Sequence, residues 1–308
     1  MSRAPIRVID LAELQRVIDH DVAHRAVRQG FVDLGTGRIE APQELAFTLS
    51  NHGEMHIKGA WATGSRWVVF KLATGSFPVG ANGGCSLLVD ADTGQPCVLL
   101  DDGGWLTEMR TAAAGALVTN LLAVDGPLSV AVLGTGVQAR FQLAALRARR
   151  TLREVRVWGR NGDRTREYAA ECCAIACATV DEAVRDVDVI VTATGARSPI
   201  LFGHHLSPGT HVTAMGADMI GKRELADDVF DRARSIAVED VTAASRVGEL
   251  QHQSADIVDR AINIADLIAR AERGSINRDP ADITIADLCG VGASDASIAS
   301  FAVDALGL

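Results

Sequence analysis

The chain has 308 residues, of which 48% are hydrophobic, 22% charged and only 4% aromatic, with a net charge of −9. That length exceeds the usual size of a single core, so about two domains are expected, and the apolar balance excludes a disordered chain. The acidic surplus offers no general attraction to phosphate backbones or anionic lipid, which argues against nucleic acid and membrane partners.

The opening MSRAPIRVIDLAELQ lacks the unbroken apolar stretch of a signal peptide, and no segment approaches the roughly 18 apolar residues of a membrane span. A cytoplasmic protein is therefore expected. Residues 11–28 read as a charged amphipathic helix. Alternating runs at 55–57, 66–72 and 85–89 follow, separated by turn signals at Ala73-Thr74-Gly75, Ala81-Asn82-Gly83-Gly84 and Asp92-Thr93-Gly94. This pattern predicts a mainly antiparallel sheet. Lys71 ends the otherwise apolar run Trp67-Val68-Val69-Phe70, a place that suits an edge-protecting lysine as well as a catalytic one. From Thr107 the sequence TEMRTAAAGALVTNLLA predicts a helix with Thr107 as N-cap, stopping at Asp125-Gly126-Pro127. Arg110 then lies in the first turn, where the helix dipole disfavours a cation unless an anion is near; Glu108, solvent or a bound carboxylate would each satisfy it.

After Pro127 the rhythm becomes strand, Gly-rich turn, helix, strand, repeated through runs at 128–133, 155–158, 186–192 and 211–215. Such alternation implies parallel βαβ units with helices on both faces. The fold class expected is α/β: a Rossmann-type parallel-sheet domain at 127–289 and a mixed α+β domain at 1–126, rejoined by about 290–308.

Gly134-Thr135-Gly136-Val137-Gln138-Ala139 matches G-x-G-x-x-A between a buried strand and a helix start. The first glycine permits the tight turn, the second lets a pyrophosphate approach the backbone, and the small third residue lets helix and strand pack closely. Val137 and Gln138 open the helix whose free N–H groups face the anion. The next strand ends in Trp158-Gly159-Arg160-Asn161, with no carboxylate for the adenine ribose. An acid there would repel a 2′-phosphate, whereas Arg160 can bind one in bidentate fashion, so NADP(H) is expected in preference to NAD(H). Thr192 and Thr194, at the carboxyl end of a later strand, are expected under the cofactor. Asp218 follows another strand end, where an acid is placed for proton transfer or for capping a helix through 222–225.

The six cysteines form no C-x-x-C pair, and Cys172, Cys173 and Cys177 read as small hydrophobes. The eight histidines show no metal-ligand spacing, adjacent His204 and His205 read as loop, and no metal is expected. G-x-S-x-G is absent, so no serine nucleophile is indicated.

These residues together carry a family resemblance. Leu106-Thr107-Glu108-Met109-Arg110-Thr111-Ala112-Ala113 resembles the L-T-x-x-R-T-A-A signature of ornithine cyclodeaminase, mu-crystallin and archaeal alanine dehydrogenase. Lys71 before a Gly-rich turn, the G-x-G-x-x-A turn, Thr192-Ala193-Thr194, Gly216-Ala217-Asp218 with Glu224-Leu225, and Asp295 in the tail GVGASDASIA follow in the family's order. The resemblance implies that Lys71 and Arg110 hold a substrate carboxylate and that Asp218 exchanges a proton with the amine. It further implies that Lys71 polarises the bound group or relays a proton, that Thr111 contacts the cofactor, and that hydride passes between nicotinamide C4 and the substrate α-carbon. A homodimer formed through the first domain is implied as well.

Two departures stand out. Cyclodeaminases carry P-x-R ahead of the lysine, but here the stretch is Pro42-Gln43-Glu44; their E-x-M-P segment is best matched by His56-Ile57-Lys58-Gly59-Ala60, with Lys58 in the place of the glutamate and Glu54 nearby but out of register. The reading is an NAD(P)-dependent oxidoreductase of an amino or imino acid, for example a cyclic ketimine such as pyrroline-2-carboxylate. A redox-neutral ornithine cyclodeaminase and a non-catalytic, mu-crystallin-like NADPH and ligand binder are the alternatives.

Overall fold

The structure, a computed structural model, describes residues 5–77 and 83–308. They cluster into two compact units, Met1–Ala113 with Val291–Leu308 and Ala114–Gly290. The division falls inside the helix Trp105–Leu122, ahead of the Asp125-Gly126-Pro127 turn at which the sequence pattern changes.

The first unit is built on a seven-stranded sheet. Its path runs Arg7–Asp10, Pro96–Asp101, Gly83–Asp90, Trp67–Gly75, Glu54–Ala62 and Ile39–Glu40, with Leu45–Thr48 also on Glu54–Ala62. All pairs are antiparallel except the edge pair of Arg7–Asp10 with Pro96–Asp101. The turn expected at Ala81-Asn82 lies outside the described residues; Gly83 and Gly84 open a strand. The single helix expected at 11–28 is two, Leu11–Val17 and His20–Gly35, because the Asp19 side chain caps the second by accepting from Val22 N at 2.8 Å. The C-terminal helix Gly292–Ala305 packs on His20–Gly35 and on the strands Glu54–Ala62 and Trp67–Gly75, which brings the end of the chain into this unit.

The helix Trp105–Leu122 begins two residues before Thr107, which is therefore not its N-cap. Gly103 and Gly104 take positive φ (62° and 95°), and the buried Asp102 carboxylate accepts from Leu106 N at 2.6 Å. That earlier start moves Arg110 out of the first turn, so the dipole places no special cost on it.

The second unit holds an eight-stranded, wholly parallel sheet in the order Ile175–Ala176, Leu152–Trp158, Leu128–Leu133, Val189–Thr192, His211–Ala214, Thr284–Asp287, Ser235–Val238, Ala261–Asn263. The chain leaves Leu128–Leu133 towards one edge and returns to Val189–Thr192 on its other side. The order thus reverses between these two strands, and at such a switch point ligands sit beyond the strands' carboxyl ends. The doubly wound sheet makes this unit Rossmann-type and the whole chain α/β. Leu128–Leu133 is buried throughout, which is why it is an unbroken apolar run.

Candidate active site

The first unit buries a cluster of charge on its sheet. Lys71 sits mid-strand, opposite Lys58 on one side and Ser86 on the other, and is only 4% exposed. It neither ends a strand nor guards an edge. Its Nζ lies 3.5 Å from Asp295 Oδ2, while Arg110 Nε donates to Asp295 Oδ1 at 2.7 Å. Asp295 comes from the first turn of Gly292–Ala305, so the returning C-terminal helix brings the two cations together. Lys58 Nζ lies 3.2 Å from Glu44 Oε2, which is also 3.6 Å from His56 Nδ1.

Burial is the largest influence on Lys71; with Arg110 and Lys58 adding repulsion, it outweighs Asp295 and pulls the ammonium down to about 8. Burial opposes ionisation of Asp295, yet Arg110, Lys71 and Lys58 hold it below its ordinary value. Glu44 behaves alike: burial works against its charge, and His56 and Lys58 prevail, lowering it to about 2. Lys58, Lys71 and Arg110 thus meet Glu44 and Asp295 in one buried set of charges, with the buried Asp102 also within electrostatic reach of Lys71.

The second unit carries the nucleotide cradle. A cavity of about 670 Å³ is lined by Gly134, Gly136, Arg160, Arg164, Thr194 and Arg197, among others. Gly134 has φ +133°, and a Cβ there would meet Ala193 O at 2.4 Å, so the turn requires glycine. Nothing lies within 4 Å of a Cβ built on Gly136, the N-cap of Val137–Arg149, which leaves space for a pyrophosphate against the helix terminus. Val137 is half-exposed at the helix start, Gln138 Oε1 accepts from Gln142 Nε2 at 3.3 Å, and Ala139 is buried where helix and strand pack. These three shape the turn and do not line the cavity.

Thr192 and Thr194 are tied to one residue. Glu224, wholly buried, accepts from Thr192 Oγ1 at 2.6 Å, from Thr194 N and Oγ1 at 2.7 Å each, and from Gly216 N at 2.8 Å. Glu249 in turn accepts from the backbone of Glu224 and Leu225, and Asp287 from Leu250 N. Burial pushes Glu249 up to about 9 and Asp287 to about 7, with neighbouring acids adding to both. This carboxyl set fixes the ends of Val189–Thr192, His211–Ala214 and Thr284–Asp287, the side on which a doubly wound sheet holds its ligand. Asp218 follows in the next turn; its half-exposed carboxylate receives Lys222 Nζ at 2.7 Å. No helix starts there, since Arg223–Leu225 is a strand, so Asp218 is not a cap. Thr111 lies in the long helix, partly buried.

Among the described residues, Asp181, His204 and His205 bring metal-competent atoms within 4.8 Å of one another. His204 and His205 stand in a short 3₁₀ helix rather than a loop. His205 Nδ1 accepts from Phe202 N at 3.0 Å, which places the ring proton on Nε2, directed at Asp181 3.4 Å away. Both nitrogens are thereby committed to hydrogen bonds. His211 is held neutral by burial, down to about 3, between Thr213 and Thr284.

Glu249 and Asp287 escaped sequence reasoning because their partners are remote in the chain and no local pattern marks them, and Glu44 was visible only as a departure from the family pattern, not as the partner of Lys58. Glu224 was visible only as part of a motif.

Fold and site define a nicotinamide-dinucleotide-dependent enzyme of amino or imino acids. The chain belongs to the ornithine cyclodeaminase/mu-crystallin family, whose model matches residues 8–306. The iminosuccinate reductase of Paracoccus denitrificans is 33% identical over 70% of this chain and 68% of its own length. Its crystal structure in complex with NAD+ superposes with a TM-score of 0.84 at 26% identity, covering 98% of this chain and 96% of that one. Mouse ketimine reductase mu-crystallin is 30% identical over 72% of this chain and 73% of its own. An archaeal alanine dehydrogenase dimer with bound NAD matches with a TM-score of 0.84 at 25% identity, covering 97% of this chain and 95% of that one.

Proposed function

We propose that the protein is an NADP(H)-preferring reductase of α-imino acids, with a cyclic ketimine such as pyrroline-2-carboxylate as the type of substrate, running in reverse as an amino acid dehydrogenase. The observation that carries this reading is the buried pair of Glu44 and Lys58. In cyclodeaminases the resemblance places a carboxylate-binding arginine and an acid at these positions, and here the signs are exchanged. Ring closure with loss of ammonia loses its acid, whereas hydride transfer needs neither group.

Lys71 and Arg110 hold the substrate carboxylate. Asp295 keeps both cations in place. The bound dinucleotide supplies the hydride for the α-carbon of the C=N bond. Asp218 delivers the proton to the nitrogen, and in reverse removes it from the amine. Gly134 and Gly136 seat the pyrophosphate, and Arg160, with Arg164 beside it in the cavity, meets the 2′-phosphate. Thr111, Thr192 and Thr194 serve the cofactor's other half. The first unit binds substrate and forms a homodimer, for which the alanine dehydrogenase dimer is the precedent, and the protein works in the cytoplasm. Among the described residues no helix is long and apolar enough to cross a membrane.

The test is a screen of amino and imino acids against NADPH and NADH, followed by absorbance and product mass. Turnover of an imino acid with consumption of reduced cofactor supports the proposal; binding without turnover of any candidate would make the protein a ligand carrier.

A further inference from the structure

Arg234, Arg260, Arg270 and Arg278 line one cavity of about 340 Å³ in the second unit, with Asp282 as its acid. In a chain of net charge −9 this lining of four arginines and one acid is a local reversal of sign, although Asp125 and Asp188 also act on Arg278. The position is specific. Arg234 and Arg260 immediately precede the strands Ser235–Val238 and Ala261–Asn263, and Thr284 begins its own strand. The cavity therefore sits at the amino ends of the parallel strands, the opposite side of the sheet from the dinucleotide cradle.

Two of the arginines are fixed and two are available. Arg260 donates to Ala233 O, and Arg278 donates to Gly209 O at 2.6 Å and to Asp282 O at 3.2 Å. Arg278 Nε is shut off from solvent and has no hydrogen-bond partner. Arg234 and Arg270 are exposed, and their side chains make no hydrogen bond or ion pair among the described residues. Four guanidinium groups gathered at one cavity repel each other, a standing cost that a bound anion removes. Ser275 and Asn277 add neutral donors to the wall.

We infer that this cavity is a second ligand site, distinct from the dinucleotide cradle, which takes a small, multiply charged oxyanion through the forked donors of Arg234 and Arg270. Guanidinium geometry matches carboxylate and phosphate oxygens. The volume fits a small molecule, and the chain's overall charge disfavours nucleic acid. Phosphate-bearing and polycarboxylate metabolites share the required chemistry.

The test is calorimetric titration of the full chain with inorganic tripolyphosphate and, separately, with citrate at one fixed near-physiological salt concentration. The protein is first saturated with its dinucleotide, so that the arginines of the cradle are closed to the probe. One equivalent of at least one probe is expected to bind, and the tighter of the two assigns the ligand's source as phosphate or carboxylate. The double variant Arg234→Ala/Arg270→Ala is expected to weaken that binding by roughly tenfold or more, while Arg160→Ala leaves it unchanged. A melting temperature no lower than that of wild type and an unaltered dinucleotide affinity in the double variant show that the fold is intact. No binding of either probe to wild type, equal affinity in the double variant, or a loss confined to Arg160→Ala would each overturn the second site.

Discussion

Glu44 Oε2 lies 3.2 Å from Lys58 Nζ, both side chains buried on the first unit's sheet. The family resemblance implies an arginine in the place of Glu44 and an acid in the stretch that holds Lys58. Two departures that look independent in the sequence thus meet in one buried ion pair. Either change alone would remove from a buried charge the opposite charge 3.2 Å away.

That coupling predicts the outcome of a double-mutant cycle. Lys58→Met is expected to cost about 3 kcal/mol of unfolding free energy, because Glu44 remains charged and buried. Pairing it with Glu44→Gln should recover much of the loss, with a coupling of about 1–3 kcal/mol. Urea unfolding of the four proteins measures it, and additive losses would show the contact to be incidental.

The ammonium of Lys71 titrates near 8 rather than at the ordinary 10.5. Between those values the unfolded chain binds more protons than the folded one, so this group's contribution to stability rises as pH increases from about 8 towards 10.5. Activity should move the other way. A charged Lys71 holds the substrate carboxylate, so kcat/KM is expected to fall as pH rises through about 8. Lys71→Arg, which stays charged, should flatten that limb of the profile. An unchanged limb in the variant would assign the titration to another group.

Glu224 gathers four hydrogen bonds from Thr192, Thr194 and Gly216. Glu224→Gln turns a donor towards these donors, at a cost of roughly 1–3 kcal/mol. Beyond lower stability, the loosened strand ends should weaken NADPH more than 2′,5′-ADP, which lacks the nicotinamide half. Competition titrations of both ligands give the ratio; a ratio equal to that of wild type would confine Glu224 to a structural role.

Arg160 is exposed at the rim of the dinucleotide cavity, with Arg164 also in its lining. Arg160→Ala is expected to weaken NADPH by about tenfold, the lower end for a charge-assisted bond because solvent screens it, and to leave NADH nearly unaltered. Fluorescence titration at fixed salt decides this, and equal losses for both dinucleotides would place Arg160 on a part they share.

Much of this was legible in the sequence wherever local rules decide. The Gly134 turn, the buried strand before it and the parallel alternation after Pro127 are set by steric and periodic constraints within a few residues. Lys71 and Arg110 were also visible, but for reasons that the structure replaces. Lys71 is central in its sheet rather than at an edge, and Arg110 lies past the first helical turn because Asp102, Gly103 and Gly104 start the helix early. What makes both residues special is Asp295, 185 positions from Arg110 along the chain. Contacts of that span, like the Glu224, Glu249 and Asp287 set, are created by topology, and no spacing rule in one sequence reports them.

The central claim is that reduction of an imino acid is the net reaction. Its most direct test follows absorbance at the nicotinamide band and free ammonia together, with pyrroline-2-carboxylate plus NADPH in one cell and ornithine plus NADP+ in another. The account predicts oxidation of one NADPH for each proline formed in the first, and no ammonia in the second. Conversion of ornithine to proline and ammonia with no lasting absorbance change would contradict it, and would show that the Glu44–Lys58 exchange had left cyclodeamination intact.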